Sequence, residues 1–250
     1  MKITFDFPYS AEDGNVATLL KETLNSYNIP YTYTVSKPDE EYFNIQREKT
    51  LKPIIVDNIA LKILNEYNTL NKVFDNIEIT QDIIIELKSE GAFGTGTHPS
   101  TQLCLKALQS LVNEGTTLLD VGCGTGVLSI AALKLGANQA TGVDLSYPAV
   151  KCSVENASLN NVSDKFTAIY GDLVEQVSGK YNLVVANMLP NIIRNLLPQL
   201  DKYVTDDGKI IISGIMKFRA EEVETYTRRY FDIENVLIQD NWCCYILKKK

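Results

Sequence analysis

Downstream of residue 100 the chain alternates strand-like and helix-like runs with a regularity that leaves few folds open. Apolar residues at helical spacing mark 101–112, 126–135, 148–160, 189–200 and 218–230. Between them, short aliphatic runs mark strands at 117–121, 139–144, 166–171, 181–187 and 209–214, and two further strands, 231–239 and 242–248, close the chain. Strands that take turns with helices pair in parallel, with the helices covering both faces of the sheet. The expected fold is α/β: a Rossmann-like, doubly wound, mainly parallel sheet whose last two strands form an antiparallel edge hairpin.

The first ninety residues read differently. Strand-like runs at 1–7 and 30–36 flank a helical spacing over 10–27, so residues 1–50 are expected to form a small α+β domain of β-α-β type. Residues 51–90 read as a linker with strands, in which the alternating runs 54–64 and 77–87 would pair as a hairpin, and 91–250 form the main domain. A chain of 250 residues with 45% apolar and 22% charged side chains is long enough for a sizeable core. Lys2, Asp6 and Pro8 interrupt any leader-like apolar run, and no window resembles a membrane span, so a cytoplasmic protein without membrane partners is expected. The five cysteines, at 104, 123, 152, 243 and 244, lack Cys-x-x-Cys spacing and read as buried thiols, with no metal site.

A net charge of −7 argues against direct DNA binding, which depends on a clustered basic footprint. The acid is concentrated early: residues 1–89 hold 9 basic against 14 acidic side chains, and 90–250 hold 15 against 17. That asymmetry suits a basic protein partner, although a solvated surface explains it equally well. Oligomeric state is left open, with a monomer as the expectation.

Two glycine-rich clusters bracket the helix at 101–112: Gly91-Ala92-Phe93-Gly94-Thr95-Gly96-Thr97-His98-Pro99-Ser100-Thr101 and Asp120-Val121-Gly122-Cys123-Gly124-Thr125-Gly126. Glycine this dense costs backbone entropy, which is justified where main chain must approach a ligand closely. In doubly wound sheets ligands bind beyond the carboxyl ends of the strands, beside the first of them. The loop from Gly122 to Gly126 has G-x-G-x-G spacing, one residue shorter than the G-x-G-x-x-G that seats a dinucleotide. With Asp120 just before it, the shorter loop suits a compact ligand that has a cationic amino-acid end. Asp144, 22 residues beyond Gly122 at the end of the second strand, can accept both ribose hydroxyls of an adenosine, with Leu145 beside it. Asp172, after the third strand, is placed for the adenine amine. Each aspartate alone could be a turn or cap residue. Three acidic strand ends with a short glycine loop point to S-adenosylmethionine.

Asn187, in Ala186-Asn187-Met188-Leu189-Pro190, ends the fourth strand. Its carboxamide and the Met188 carbonyl can accept hydrogen bonds from an amine and aim the amine's lone pair. The segment resembles the Asn-Pro-Pro-aromatic motif of amino-methyltransferases, without the proline pair at 188–189 or the aromatic at 190. Positioning would then be the main catalytic work. His98, the sole histidine, could act as general base or could cap the following helix. A lysine amine of pKa about 10.4 costs roughly 4.6 kcal/mol to deprotonate at pH 7. Desolvation beside a sulfonium can supply part of that, so no dedicated base is required.

These residues together carry a family resemblance. The run from Ala92 to Cys104, the glycine loop, Asp144, Asn187 and Trp242-Cys243 resemble the bacterial lysine methyltransferases that modify large-subunit ribosomal protein eleven, over residues 75–250. Gly94-Thr95-Gly96-Thr97-His98-Pro99 is the discriminating part. The resemblance implies a class I methyltransferase fold in which Thr101, Gly122, Asp144 and Asn187 contact the cofactor. It also implies that the loop 91–98 closes over the cofactor, which adds Phe93, Gly94, Thr95, Gly96 and Thr97 to the binding set beside Cys123, Gly124 and Gly126. The implied substrate is a ribosomal protein, methylated on lysine or N-terminal amines. Two features depart from the family: Ser89-Glu90-Gly91 replaces its Asp/Pro-Gly step, and the only tryptophan is Trp242. Rival readings are an amino-methyltransferase acting on RNA or a small natural product, a non-catalytic module on the same fold, and a dinucleotide oxidoreductase.

Overall fold

The computed structural model describes residues 51–75, 77–88 and 93–250, with Glu66 and Tyr67 as backbone only. The β-α-β unit expected over 1–50 lies outside the described residues, as do Gly91 and Ala92. Residues from 51 onward belong to one compact unit, and among the described residues two sheets form.

The smaller sheet comes first. Strands β1 (Ile54–Val56) and β2 (Ile59–Ile63) make an antiparallel hairpin, turned at Asp57 with a φ of 50°. After the short helix α1 (Glu66–Leu70), strand β3 (Ile83–Leu87) returns parallel to β2, with Ile59 opposite Ile83 and Ile63 opposite Leu87. The runs 54–64 and 77–87 therefore do not pair as the hairpin expected from sequence; the first folds back on itself. Asn58 sets the parallel register, donating from Nδ2 to Asp82 Oδ2 at 3.0 Å while its Oδ1 accepts from Asp82 N at 3.1 Å.

The larger sheet contains β4 (Thr117–Val121), β5 (Gln139–Asp144), β6 (Phe166–Tyr170), β7 (Tyr181–Asn187), β8 (Val204–Met216), β9 (Phe231–Gln239) and β10 (Trp242–Lys249). Their order is β6-β5-β4-β7-β8-β10-β9. The first five strands pair in parallel, and β10 inserts antiparallel between β8 and β9. This is the doubly wound sheet with an edge hairpin that the alternation of elements implied. Strand β8 is longer than its apolar run because Tyr181 pairs with Val204 and then Leu183 with Lys209, a bulge that absorbs Asp206-Asp207-Gly208.

Helices α2 (Pro99–Leu111), α3 (Val127–Lys134), α4 (Tyr147–Leu159), α5 (Pro190–Leu200) and α6 (Ala220–Thr227) cover the sheet. Side chains of a strand alternate between its two faces. Leu118, Val185 and Ile211 accordingly join a core with Leu103, Leu108 and Ile130, whereas Leu119, Val184 and Ile210 join another with Ile193, Leu196 and Val223. The smaller sheet belongs to the first of these cores, through Leu61, Ile63, Ile85 and Leu87.

Two asparagines lock β3 in place. Asn160 Oδ1 accepts from Glu86 N at 3.0 Å and Asn156 Oδ1 from Lys88 N at 2.8 Å, while their amides donate to the carbonyls of Glu86 and Lys88. Strand β3 thus has its exposed main-chain groups satisfied by side chains, which blunts an otherwise open edge.

Candidate functional site

The carboxyl ends of β4, β5 and β7 meet at the glycine loop. Gly122, Gly124 and Gly126 have φ of 74°, 54° and 79°, a region that L side chains enter only at a cost. Space is equally restrictive: a Cβ on Gly122 would lie 2.8 Å from Met188 Cε, one on Gly126 2.9 Å from Ser153 Cβ, and one on Gly124 would collide with the Phe93 carbonyl oxygen. Val143 O accepts from both Gly122 N at 2.7 Å and Cys123 N at 3.1 Å, fastening the loop to β5. Gly124→Ala should therefore lower stability by about 1–3 kcal/mol through backbone strain. For a chain of this size that is a drop in Tm of roughly 2–12 °C, to be read in a thermal melt.

The signature loop docks on this cradle. Thr125 N donates to Phe93 O at 3.0 Å, and Thr125 Oγ1 donates to Gly94 O at 2.7 Å. Further along, Gln102 Nε2 donates to Gly96 O at 3.0 Å, and the Thr95 and Thr97 hydroxyls lie 3.1 Å apart. His98 is the N-cap of α2: its Nδ1 accepts from Ser100 N at 3.2 Å. Its ring also meets Trp242 edge-on at 4.4 Å, and burial lowers its pKa. A neutral imidazole that accepts at Nδ1 carries its proton on Nε2, so neither nitrogen retains a lone pair for a substrate amine.

The three aspartates occupy different environments. Asp120 is 1% exposed, and its Oδ2 accepts from Ser129 N at 3.2 Å and Ser129 Oγ at 2.8 Å. Its carboxylate is turned into the interior against α3, whereas Asp144 stands half-exposed at the strand end. Burial pushes the Asp120 pKa up from 3.8 to about 7; the Ser129 bonds oppose the rise and the Asp144 charge adds to it. The folded protein then holds a proton that the unfolded chain has already released between those two values, so this group's contribution to stability falls as pH climbs through that window. Asp120→Asn removes the titration, and the Tm difference, wild type minus variant, should decline between about pH 4 and pH 7 and level off above it.

Asp144 holds the loop and remains open to solvent. Its Oδ2 accepts from Gly124 N at 2.9 Å and its Oδ1 from Ser146 N at 2.8 Å, leaving a lone pair on each oxygen for a ligand hydroxyl. Leu145 beside it is exposed, as is Asp172, whose backbone N donates to Gln176 Oε1 at 3.1 Å. Cys123 belongs to the loop through its backbone; its thiol is buried against Gly142, and burial holds its pKa far above the ordinary thiol range.

Asn187 ends β7 with Nδ2 donating to Thr101 Oγ1 at 3.2 Å, which ties the end of β7 to the first turn of α2. Met188 N donates to Ser213 O at 3.1 Å. The next residue of β8, Gly214, has a φ of 85°, and a Cβ there would press on the Met188 backbone. Across residues 3–250 the chain matches the model of the ribosomal protein L11 methyltransferase (PrmA) family. It belongs to that family.

The ribosomal protein L11 methyltransferase of Caldanaerobacter subterraneus subsp. tengcongensis is 35% identical over 258 residues, covering all of this chain and 80% of the relative. That of Anoxybacillus flavithermus is 33% identical, covering 97% of this chain and 78% of the relative. A crystal structure of ribosomal protein L11 methylase from Lactobacillus delbrueckii subsp. bulgaricus is 29% identical with a TM-score of 0.71, covering 80% of this chain and 99% of the other. The T. thermophilus 16S rRNA N2 G1207 methyltransferase, solved with AdoMet and guanosine, shares the fold alone: 20% identity and a TM-score of 0.56, over 64% of this chain and 46% of the other.

Several residues of this PrmA-family site were missed in the sequence. Thr125 ties the signature loop to the glycine loop, and Gln102 supports Gly96. Ser213 Oγ lies 3.2 Å from both Ser100 O and Cys243 O. Gly214 was the detectable one, since an isolated glycine inside a strand marks close backbone approach.

Proposed function

We propose that this chain uses S-adenosylmethionine to methylate lysine or N-terminal amines of a ribosomal protein, with protein L11, named for its relatives, as the substrate. One observation carries the reading: a strand-end carboxylate that fastens the glycine loop, Asp144, and a carboxamide anchored through one end only, Asn187, belong to the same carboxyl edge of one sheet.

The residues present fit the cofactor. Three left-handed glycines keep the loop free of side chains where main chain must meet a ligand, and Asp144 retains acceptor capacity for ribose hydroxyls. Gly122, Gly124, Asp144, Leu145 and Asp172 would hold it, with the 93–98 segment against the loop. When bound, S-adenosylmethionine supplies a methyl group activated by a sulfonium.

The chain's own contribution is alignment. Thr101 Oγ1 takes up one Nδ2 hydrogen of Asn187 and thereby limits rotation of the amide, leaving Oδ1 as an acceptor. A neutral amine that donates to Asn187 Oδ1 and to the Met188 carbonyl has its lone pair turned away from both. Its third proton must leave first, and bulk water can take it. His98 is assigned a capping role, and Asp120 a role in seating α3 behind the loop.

Among the described residues no helix is long and apolar enough to cross a membrane. Incubation with labelled S-adenosylmethionine and a fractionated cell lysate that supplies ribosomal proteins, RNA and small metabolites, followed by mass spectrometry, tests the proposal. Label on L11 amines is expected; label confined to RNA or small metabolites would refute it.

A further inference from the structure

The neighbourhood of Asn187 carries more exposed apolar surface than catalysis accounts for. Phe218 is 81% exposed, Leu189 67%, Phe93 59%, and Met216 and Ile192 40% each. They are linked into a rim. Met216 pairs with Trp242 across β8 and β10, Trp242 stacks edge-on against His98 at 4.4 Å, and His98 lies 5.7 Å from Phe93. On the other side, Arg219 Nη2 donates to Asn191 Oδ1 at 3.0 Å, tying the turn that carries Phe218 to the first turn of α5, which carries Ile192, with Leu189 as its N-cap. Strand β8 extends three residues past Ser213, the partner of Asn187, so Met216 and then Phe218 stand beyond the carboxamide's own strand end.

A contiguous exposed apolar surface beside a site marks an interaction surface. Its occupant follows from position: a polypeptide that brings an amine to Asn187 lays the residues adjoining that amine against this rim. The rim also offers little to a polybasic segment, since Arg219 is neutralised by Glu222 at 2.8 Å and the next cation, Lys217, repels like charge. We infer that Phe218 and Leu189 are specificity-determining contacts for the protein substrate, selecting acceptor amines that have an apolar side chain beside them in the chain. This inference rests on the protein-methyltransferase reading proposed above.

The test compares wild type with Phe218→Ser, Leu189→Ser and the double variant on purified L11, with calorimetry of S-adenosylmethionine in parallel. Both side chains are exposed, so a polar replacement should leave thermal stability unchanged. The double variant is expected to raise KM for L11 about tenfold to a hundredfold, the scale set by burying two large apolar side chains at an interface. Cofactor Kd should stay within twofold, and Phe218→Leu should restore most of the loss. Peptides spanning the methylated segment, with the apolar neighbour of the acceptor replaced by serine, should lose a similar factor on wild type and little on the double variant. An unchanged KM for L11 overturns the inference while leaving the proposed function standing, and so does a shift from dimer to monomer without a KM change, which would assign the rim to a second copy of the chain. A loss of cofactor affinity in step with KM also overturns it. Absence of methyl transfer to any protein by wild type overturns both.

Discussion

Asp144→Ala is expected to reduce S-adenosylmethionine binding by two to four orders of magnitude. Two effects act together. The side chain anchors the glycine loop by accepting from Gly124 N and Ser146 N, and the same oxygens have lone pairs left for the ribose. Hydrogen bonds to a charged group contribute about 1.5–3 kcal/mol each, so loss of two to the ligand gives about 3–6 kcal/mol, and each 1.4 kcal/mol is about tenfold in Kd. Loosening of the loop adds to this, because Gly124 would lose the acceptor that holds its left-handed conformation. Asp144→Asn separates the contributions: its Oδ1 can serve one of the two backbone donors, but its amide faces the other donor with hydrogens. An intermediate affinity is expected. Calorimetry decides the matter; an alanine variant that binds within threefold of wild type would remove Asp144 from the cofactor site.

The strand end that carries Asp144 was easier to place from the sequence than much of the rest. Strands β4, β5 and β7 match the sequence reading at both ends, because buried parallel strands are continuous apolar runs that stop at polar or glycine positions. Asp144 was legible for the same reason: it is the residue at which such a run ends. Asp120 misled the same rule. It lies one position before the end of β4, and in a sheet covered on both faces no alternation shows which way a polar side chain turns. The structure turns it toward Ser129, nine residues on, into the interior.

The smaller sheet was misread for a different reason. Its parallel register depends on Asn58 with Asp82 and on the Asn156 and Asn160 clamps, partners 24 to 74 residues apart. A local pattern of alternating side chains contains none of these bonds. The signature loop lies between the two cases. Its glycines were conspicuous, yet Thr125, which fastens it, looked like a spacer within G-x-G-x-G, and the rim residues Leu189 and Phe218 sat among ordinary apolar positions of predicted helices. Exposure, which singles them out, is a tertiary property that no local pattern records.

Asn187→Ala should separate binding from chemistry. The side chain reaches Thr101 and an open acceptor position, and it supports no part of the glycine loop, so S-adenosylmethionine affinity is expected to stay within a few-fold of wild type. Turnover should fall about 10²–10³-fold, the cost of removing one preorganised polar contact from a reacting centre. Thr101→Val tests how the contact is made. Without the Oγ1 acceptor the Asn187 amide is free to rotate, and its NH2 can present donors to an amine that has none to accept with except its reactive lone pair. A smaller loss in kcat, about tenfold, is expected, with KM for the protein little changed, because alignment and not attachment is impaired. Asn187→Asp takes the argument to its limit: a carboxylate pairs with the ammonium form and raises its pKa, so the variant should bind substrate at least as well as wild type and turn it over more slowly, with activity recovering as pH rises. Full activity of Asn187→Ala on L11 would mean that the amine is oriented by other groups, and the assignment of this carboxamide would have to be withdrawn.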